Sequence, residues 1–460
     1  MDLSEYSLWE LLIQLGIIFS AVLLGNTLRR KISFVRNSLL PSSVIAGIII
    51  FALKFVPKIN VFINSSFMEV LTYHCLGLGF VALTLTSSTK RKDNNKFAVL
   101  DTGITTVNGY LVQGIVGLGG SIVLSLTIFK ELFYAAGLLL PMGFGQGTGQ
   151  ALNIGNVFQT FGFKDGPSFG LAIAAVGFLV ACLVGVIYLN VLKRKGLLKV
   201  QESRIANNKL DNNIYASDEA PLNESVDKLT IQLGFILMVY IITFLLILGL
   251  STLSTKYLGN FGVKTIKPLL WGFNFLFGSI IAIAVKKIVE RLKVRKIMTH
   301  TYINNYMMNR LSGLFFDVMI VAGIAAIDWQ NLSGLFIPLV IICTLGGIAT
   351  FVYIKFIAKK VFKDYEHEFF FSMFGMLTGT ASTGMILLRE IDPNFETPAA
   401  DNLVLQQVPA IAFGAPILLL MSFAAESLTN SFIVFGIMTG LFIVYNLITL
   451  RKLIFKKKNK

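Results

Sequence analysis

Eleven stretches of this chain are apolar over about twenty residues each. They lie at 8–27, 39–57, 68–86, 103–129, 168–192, 230–251, 268–285, 306–327, 333–358, 403–425 and 431–450. A helix rising ~1.5 Å per residue needs about twenty such residues to cross a ~30 Å hydrocarbon core. The pattern therefore predicts an all-α polytopic membrane protein. Composition agrees: 55% of residues are hydrophobic and 39 are Phe, where a soluble domain is nearer ~45–50% apolar. The net charge of +15 does not point to nucleic acid, because the basic residues sit in short loops between apolar runs and not on a soluble face.

Cysteine and histidine carry no signal. Cys75, Cys182 and Cys343 fall inside apolar segments at unrelated spacings and read as buried small hydrophobes. His74, His300 and His367 form no ligand cluster. Met1–Ser7 contains Asp2 and Glu5 but no Lys or Arg, so the first apolar run reads as a spanning helix and not as a signal peptide.

Two further runs, 134–158 and 368–388, are long enough to span but carry their own breakers. The first contains "PMGFGQGTGQ" (Pro141–Gln150), with Gly at 143, 145, 147 and 149, and each Gly weakens a helix by roughly 1 kcal/mol relative to Ala. The second contains "LTGTASTGM" (Leu377–Met385). Both share a Gly-Thr step followed by small polar residues.

Basic residues decide how these two runs lie. If each enters and leaves on one face as a re-entrant hairpin, one side of the membrane collects the loops around Arg29, Lys90, Lys193, Lys286 and Lys355 together with the tail "RKLIFKKKNK". That side then holds 29 Lys and Arg, against 7 on the other. Positive charge marks the cytoplasmic side, so the N-terminus is expected outside, in a plasma-membrane setting. The polar segment 193–229 and the C-terminus are expected inside.

The organisation that follows is two inverted repeats of five helices. Residues 1–192 form the first, with its hairpin at 134–158. Residues 193–229, polar and without apolar period, form a cytoplasmic linker. Residues 230–425 form the second repeat, with its hairpin at 368–388. Residues 426–460 add an extra helix and a basic tail. Inverted repeats with broken helices near the midplane are a design of secondary transporters. Small-residue helix packing is the plainer account of any single glycine run.

Irregular backbone at membrane depth is tolerated where protein or a watery cavity satisfies it. Half-helix N-termini offer N–H groups to an anion, while free carbonyls and hydroxyls suit a small hard cation. The expected site residues are Gln146, Gly147, Thr148, Gly149, Gly379, Thr380, Ser382 and Thr383, with Thr148, Thr380 and Ser382 as sodium ligands. Asp317, in "LFFDVMIVAGI", stands in an apolar helix, where an ionisable group is by default functional; pairing with Arg310 on the same helix is the structural alternative. Arg389, at the end of the second hairpin, would meet a second substrate carboxylate with a bidentate fork, or else be one more cytoplasmic cation.

The chain resembles the bacterial sodium/glutamate symporters. The resemblance covers nearly its whole length. It rests on "SFVRNSLLPSSVIAGIII" (Ser33–Ile50) and "GQGTGQALNIGNVFQTFGF" (Gly145–Phe163), and more weakly on "FGMLTGTASTGM" (Phe374–Met385) and "VPAIAFGAPI" (Val408–Ile417). It implies two inverted five-helix domains, a homodimer, an elevator-type movement of the hairpin-bearing domain and inward transport of glutamate, or a similar acidic amino acid, with sodium. Gln146 departs from the family pattern, which has His there, as do the glycine-poor second loop and the helix 431–450. A transporter of another carboxylate and a channel are the competing readings. No catalytic constellation or nucleotide-binding motif is found in the sequence, so no enzyme activity and no cofactor beyond the coupling ion are expected.

Overall fold

The computed structural model describes residues 6–37, 39–86, 96–197, 228–297, 302–392 and 396–451. It is helical throughout these residues. The principal helices are α1 (Tyr6–Lys31), α2 (Ser42–Leu53), α3 (Ser65–Leu85), α4 (Lys96–Leu126), α5 (Leu139–Gln146), α6 (Thr148–Thr160), α7 (Gly166–Arg194) and α8 (Lys228–Phe261). They continue with α9 (Asn274–Val294), α10 (Asn305–Ala326), α11 (Phe336–Val361), α12 (Glu366–Thr378), α13 (Ala381–Arg389), α14 (Gln407–Glu426) and α15 (Leu428–Thr449). Most of the expected linker, 198–227, lies outside the described residues, as do His300 and the tail 452–460.

Nine helices are long and apolar enough to cross a membrane among the described residues, two fewer than the eleven runs suggest. The run 39–57 yields only the 12-residue α2, about 18 Å long. Pro41 precedes it and Lys54 ends it. The Lys54 ammonium donates to Ser65 Oγ (2.8 Å) and to the carbonyls of Ile327 (2.8 Å) and Ala325 (3.1 Å). A residue that looks like a loop charge in the sequence is thus a cation on the C-terminal carbonyls of α10. The run 268–285 breaks at Phe273, and α9 then carries Lys286 and Lys287 into its length. Basic residues fill the last turns of α1, α7, α9 and α11, where they complement the helix dipole.

The described residues group into two compact units that do not follow the halves of the chain. One comprises Met1–Cys75, Arg91–Asn190 and Asp317–Lys460; the other comprises Leu76–Lys90 and Val191–Phe316. In the second unit Val81, Ala82, Leu85, Ile236, Val239, Ala282, Met308 and Leu311 form a buried apolar cluster between α3, α8, α9 and α10. Both glycine-rich runs belong to the first unit. Its long central helix, α4, carries an unusual load of buried polar side chains, among them Asp101, Thr105, Thr106, Asn108 and Gln113.

The terminal helix α15 packs along α4. Just beyond its end, Arg451 forms an ion pair with Asp101. Asp101 is 3% exposed and Arg451 is 25% exposed. Breaking a fully buried pair costs roughly 3–5 kcal/mol because a charge is stranded; the partial exposure of Arg451 lowers that. Asp101→Leu alone is therefore expected to destabilise the purified protein by about 2–3 kcal/mol, read as a lower melting temperature in detergent. The double variant Asp101→Leu/Arg451→Met should recover most of the loss.

Candidate functional site at two helix breaks

The first glycine-rich run is a broken helix. α5 stops at Gln146 and α6 starts at Thr148, with Gly147 between them at φ 83° and ψ −169°. That conformation is open to glycine and strained for residues with a side chain. The chain turns back here: Phe133, before the first arm, stacks on Phe163, after the second, with ring centroids 5.3 Å apart and an 11° interplanar angle. Phe133 also meets Phe158 at 5.6 Å. The two ends of the segment therefore lie together, with the break at the far end.

The second run has the same construction. α12 ends at Thr378 and α13 begins at Ala381. Its arms touch so closely that a Cβ on Gly384 would sit 2.3 Å from the Ser372 carbonyl oxygen. Thr380 is the extended cap residue of α13, and its hydroxyl accepts from the Thr383 N–H at 3.4 Å.

The two breaks meet. A Cβ built on Gly147 would lie 3.6 Å from Thr380 Cγ2. Helix α4 runs past both: the Tyr110 hydroxyl reaches the Gly145 carbonyl at 3.4 Å, and Gln113 Nε2 donates to the Leu377 carbonyl (2.7 Å) and to Thr350 Oγ1 (3.0 Å). Helix α10 passes the first break, where the Thr148 hydroxyl donates to the Met319 carbonyl at 3.2 Å. Gly323 leaves the room for that contact, since a Cβ there would fall 2.5 Å from Thr148 Cβ.

Two helix N-termini (α6, α13) and two C-termini (α5, α12) therefore converge. The first pair turns unpaired amides and partial positive charge to the breaks, and the second turns carbonyls and partial negative charge. None of the residues 145–150 and 377–383 is charged. The polarity is supplied by backbone ends, hydroxyls and carboxamides, an arrangement suited to an anion and a small cation together.

Of the residues expected from sequence, Gly147, Thr148, Gly149, Gly379 and Thr383 are buried at the breaks, and Gln146 and Thr380 are half-buried there. The side chain of Ser382 lies outside the described residues. Asp317 stands two residues before Met319 on α10, on an exposed position within interaction range of the Ser43 hydroxyl. Arg310 is engaged with Tyr306, its Nη2 3.2 Å from the phenolic oxygen. Arg389 is exposed at the opposite end of α13 from the break, about 12 Å away along the helix.

Sequence reasoning named Gln146 but missed three further carboxamides. Gln150, in the first turn of α6, is fully buried, and its carboxamide makes no hydrogen bond among the described residues. Gln113 leaves its Oε1 unbonded while its Nε2 holds the second break. Gln406 accepts from Thr106 at 2.8 Å and approaches Met376 Sδ at 3.2 Å. The available signal was that an amide side chain inside an apolar run needs a partner.

Nine helices among the described residues are long and apolar enough to span, and with the family below they mark an integral membrane protein. The chain belongs to the sodium/glutamate symporter family, whose profile matches residues 9–396. Helices α14 and α15 lie beyond the matched region. No individual curated protein matches the sequence.

The strained Gly147 gives a direct prediction. Gly147→Ala should remove most transport, because a side chain at that φ costs on the order of 1–3 kcal/mol and the break must shift to relieve it. Gly162 also has positive φ (103°) but lies in a surface turn with no atom near its Cβ position. Gly162→Ala, carrying backbone strain away from the breaks, should transport nearly normally in the same vesicle uptake assay.

Proposed function

We propose that this protein is a secondary active transporter that carries glutamate or a similar acidic amino acid inward together with sodium, by alternating access. The observation that carries the reading is the meeting of two broken helices, which places two amide ends and two carbonyl ends at one uncharged, buried point. Amides of α6 suit a substrate carboxylate. Carbonyls at the ends of α5 and α12, with the hydroxyls of Thr148, Thr380 and Ser382, suit sodium. Membership of the sodium/glutamate symporter family supports the same pairing of substrate and ion.

In this reading residues 1–192 and 230–425 are inverted repeats, and the segments 134–158 and 368–388 are re-entrant hairpins dipping from opposite faces. The N-terminus is outside; the linker 193–229 and the basic tail are cytoplasmic. The protein works as a homodimer and moves its hairpin-bearing domain as an elevator, as the family resemblance implies. Asp317, on the helix that holds Thr148, serves the ion site, and Arg389 serves a distal carboxylate when the α13 end approaches the substrate.

The test is uptake of labelled glutamate into proteoliposomes with and without an inward sodium gradient. Saturable uptake that accumulates glutamate only with the gradient supports the proposal. Sodium-independent, non-saturating flux would overturn it in favour of a channel, and competition by hydroxy- or dicarboxylates but not by acidic amino acids would reassign the substrate. For the topology, a cysteine replacing Lys164 should react with an impermeant thiol reagent from outside, and one replacing Lys195 only from inside. Reaction of both from one face would rule out the inverted arrangement.

A further inference from the structure

We infer that Gln150 is a specificity-determining residue whose carboxamide reads the α-ammonium group of the substrate, so that the site selects an amino acid over the dicarboxylate of the same carbon skeleton. The inference rests on the transport reading above and extends it to the chemistry that separates one carboxylate class from another.

Four observations carry it. Gln150 has 0% exposure, and neither its Oε1 nor its Nε2 is bonded among the described residues. It is the third residue of α6 after the cap Gly147. Cα–Cβ bonds on a helix tilt toward its N-terminus, so the side chain leans back over the break and not into the helix body. A Gln at this position ordinarily reaches the N–H of the cap residue to close a capping box. Here it does not: the cap Gly147 has a left-handed φ of 83° that glycine adopts freely, and α6 has no side-chain cap.

The neighbouring positions are already assigned. Thr148 is held on the Met319 carbonyl, and Ala151 packs against Gly170 of α7, where a Cβ would fall 2.6 Å from the Ala151 carbonyl oxygen. On a helix turning ~100° per residue, Gln150 stands about 160° around α6 from Thr148 and about 100° from Ala151, so it shares neither contact. The tilt of its Cα–Cβ bond toward the helix start carries the amide back to the first turn, where the α6 N–H groups end.

The chemistry of the side chain sets the ligand class. A carboxamide offers one acceptor oxygen and two donors in one plane. An amino acid whose carboxylate rests on the α6 amides brings its ammonium group, a donor only, within reach of Oε1, while Nε2 adds a donor toward the carboxylate. A 2-oxo acid presents a carbonyl oxygen in place of the ammonium; Oε1 cannot bond it, and turning the amide to offer Nε2 replaces a charge-assisted bond with a weaker neutral one. A site built to bond a polar group discriminates strongly against the analogue that lacks it. Among the other described polar groups at the breaks, the Thr148 and Tyr110 hydroxyls are directed at backbone carbonyls and Thr380 Oγ1 is taken by the Thr383 N–H; Gln113 has a free Oε1, but its amide is already fixed by Nε2 on the Leu377 carbonyl and Thr350.

The experiment uses the purified full-length protein in sodium-containing buffer. Thermal stabilisation is titrated with glutamate and with 2-oxoglutarate for the wild type, Gln150→Leu and the more nearly isosteric Gln150→Met. The wild type should bind glutamate at least about tenfold more tightly than 2-oxoglutarate. Losing a hydrogen bond to a charged group should weaken glutamate about tenfold or more in either variant and leave 2-oxoglutarate little changed, so the preference collapses. The ligand-free melting temperature should not fall, because the amide removed was unpaired. An unchanged preference in the variants, or equal weakening of both ligands with a lower ligand-free melting temperature, overturns the inference. So does a wild type that binds the two ligands equally. If the wild type binds neither ligand and takes up no glutamate with sodium, the symporter reading itself fails and this inference falls with it.

Discussion

Every backbone amide and carbonyl buried in apolar surroundings must be bonded, and a helix meets that demand everywhere except at its ends. The protein spends most of its length satisfying the rule. It then suspends it at two adjacent points, where α5 gives way to α6 and α12 to α13. Each break leaves amides on one side and carbonyls on the other, with no charged side chain in either stretch. Much of the surrounding architecture follows from keeping those ends in place. Gln113 grips the Leu377 carbonyl, Thr148 is anchored on Met319, and Gly177 of α7 lies so near the Thr378 carbonyl that a Cβ would fall 2.6 Å from its oxygen. The polarity of α4, odd for a helix buried in an apolar bundle, is explained by its course past both breaks.

The breaks and their residues were legible in the sequence because glycine at every second position cannot be reconciled with a long apolar helix. Nine of the eleven apolar runs form helices long and apolar enough to span among the described residues. The run 39–57 gives a short helix that stops at Lys54, whose ammonium reaches the Ala325 and Ile327 carbonyls at the end of α10, some 270 residues away in the chain. No local pattern contains that partner. The carboxamides were illegible for the opposite reason. Gln113 and Gln150 are ordinary helix formers, and only packing shows that one holds a break while the other is buried without a partner. Arg389, expected at the end of the second hairpin, stands at the exposed end of α13, opposite the break.

The far charges answer to the same rule. Asp101 is buried in the first turns of α4, and its ion-pair partner is Arg451, two residues beyond the end of α15. The helix that lies beyond the family-matched region is thereby locked to the one that touches both breaks. Tyr353 of α11 adds a second link, its hydroxyl 3.2 Å from Asn446 Oδ1 on α15. The terminal helix is therefore a part of the first unit's framework and not an appendage to it.

The two breaks are alike in plan but not in chemistry. At the second, Thr380 satisfies the Thr383 amide with its own hydroxyl, so one of the N–H groups of α13 is already taken. At the first, the cap residue is glycine and has no side chain to offer; the first bond back to it is the Ala151 N–H to the Gly147 carbonyl, at 3.2 Å. The amides of Thr148, Gly149 and Gln150 precede that bond and have no carbonyl within α6 to accept them. The residue that would ordinarily close the gap, Gln150, stands in the capping-box position and does not close it. A glycine cap preceding a buried, unbonded Gln thus leaves α6 the more electropositive of the two helix starts, while the self-capped α13 contributes hydroxyl oxygens. The asymmetry is one of free backbone donors: α6 keeps its first amides open, whereas α13 has one of its own already bonded to the Thr380 hydroxyl.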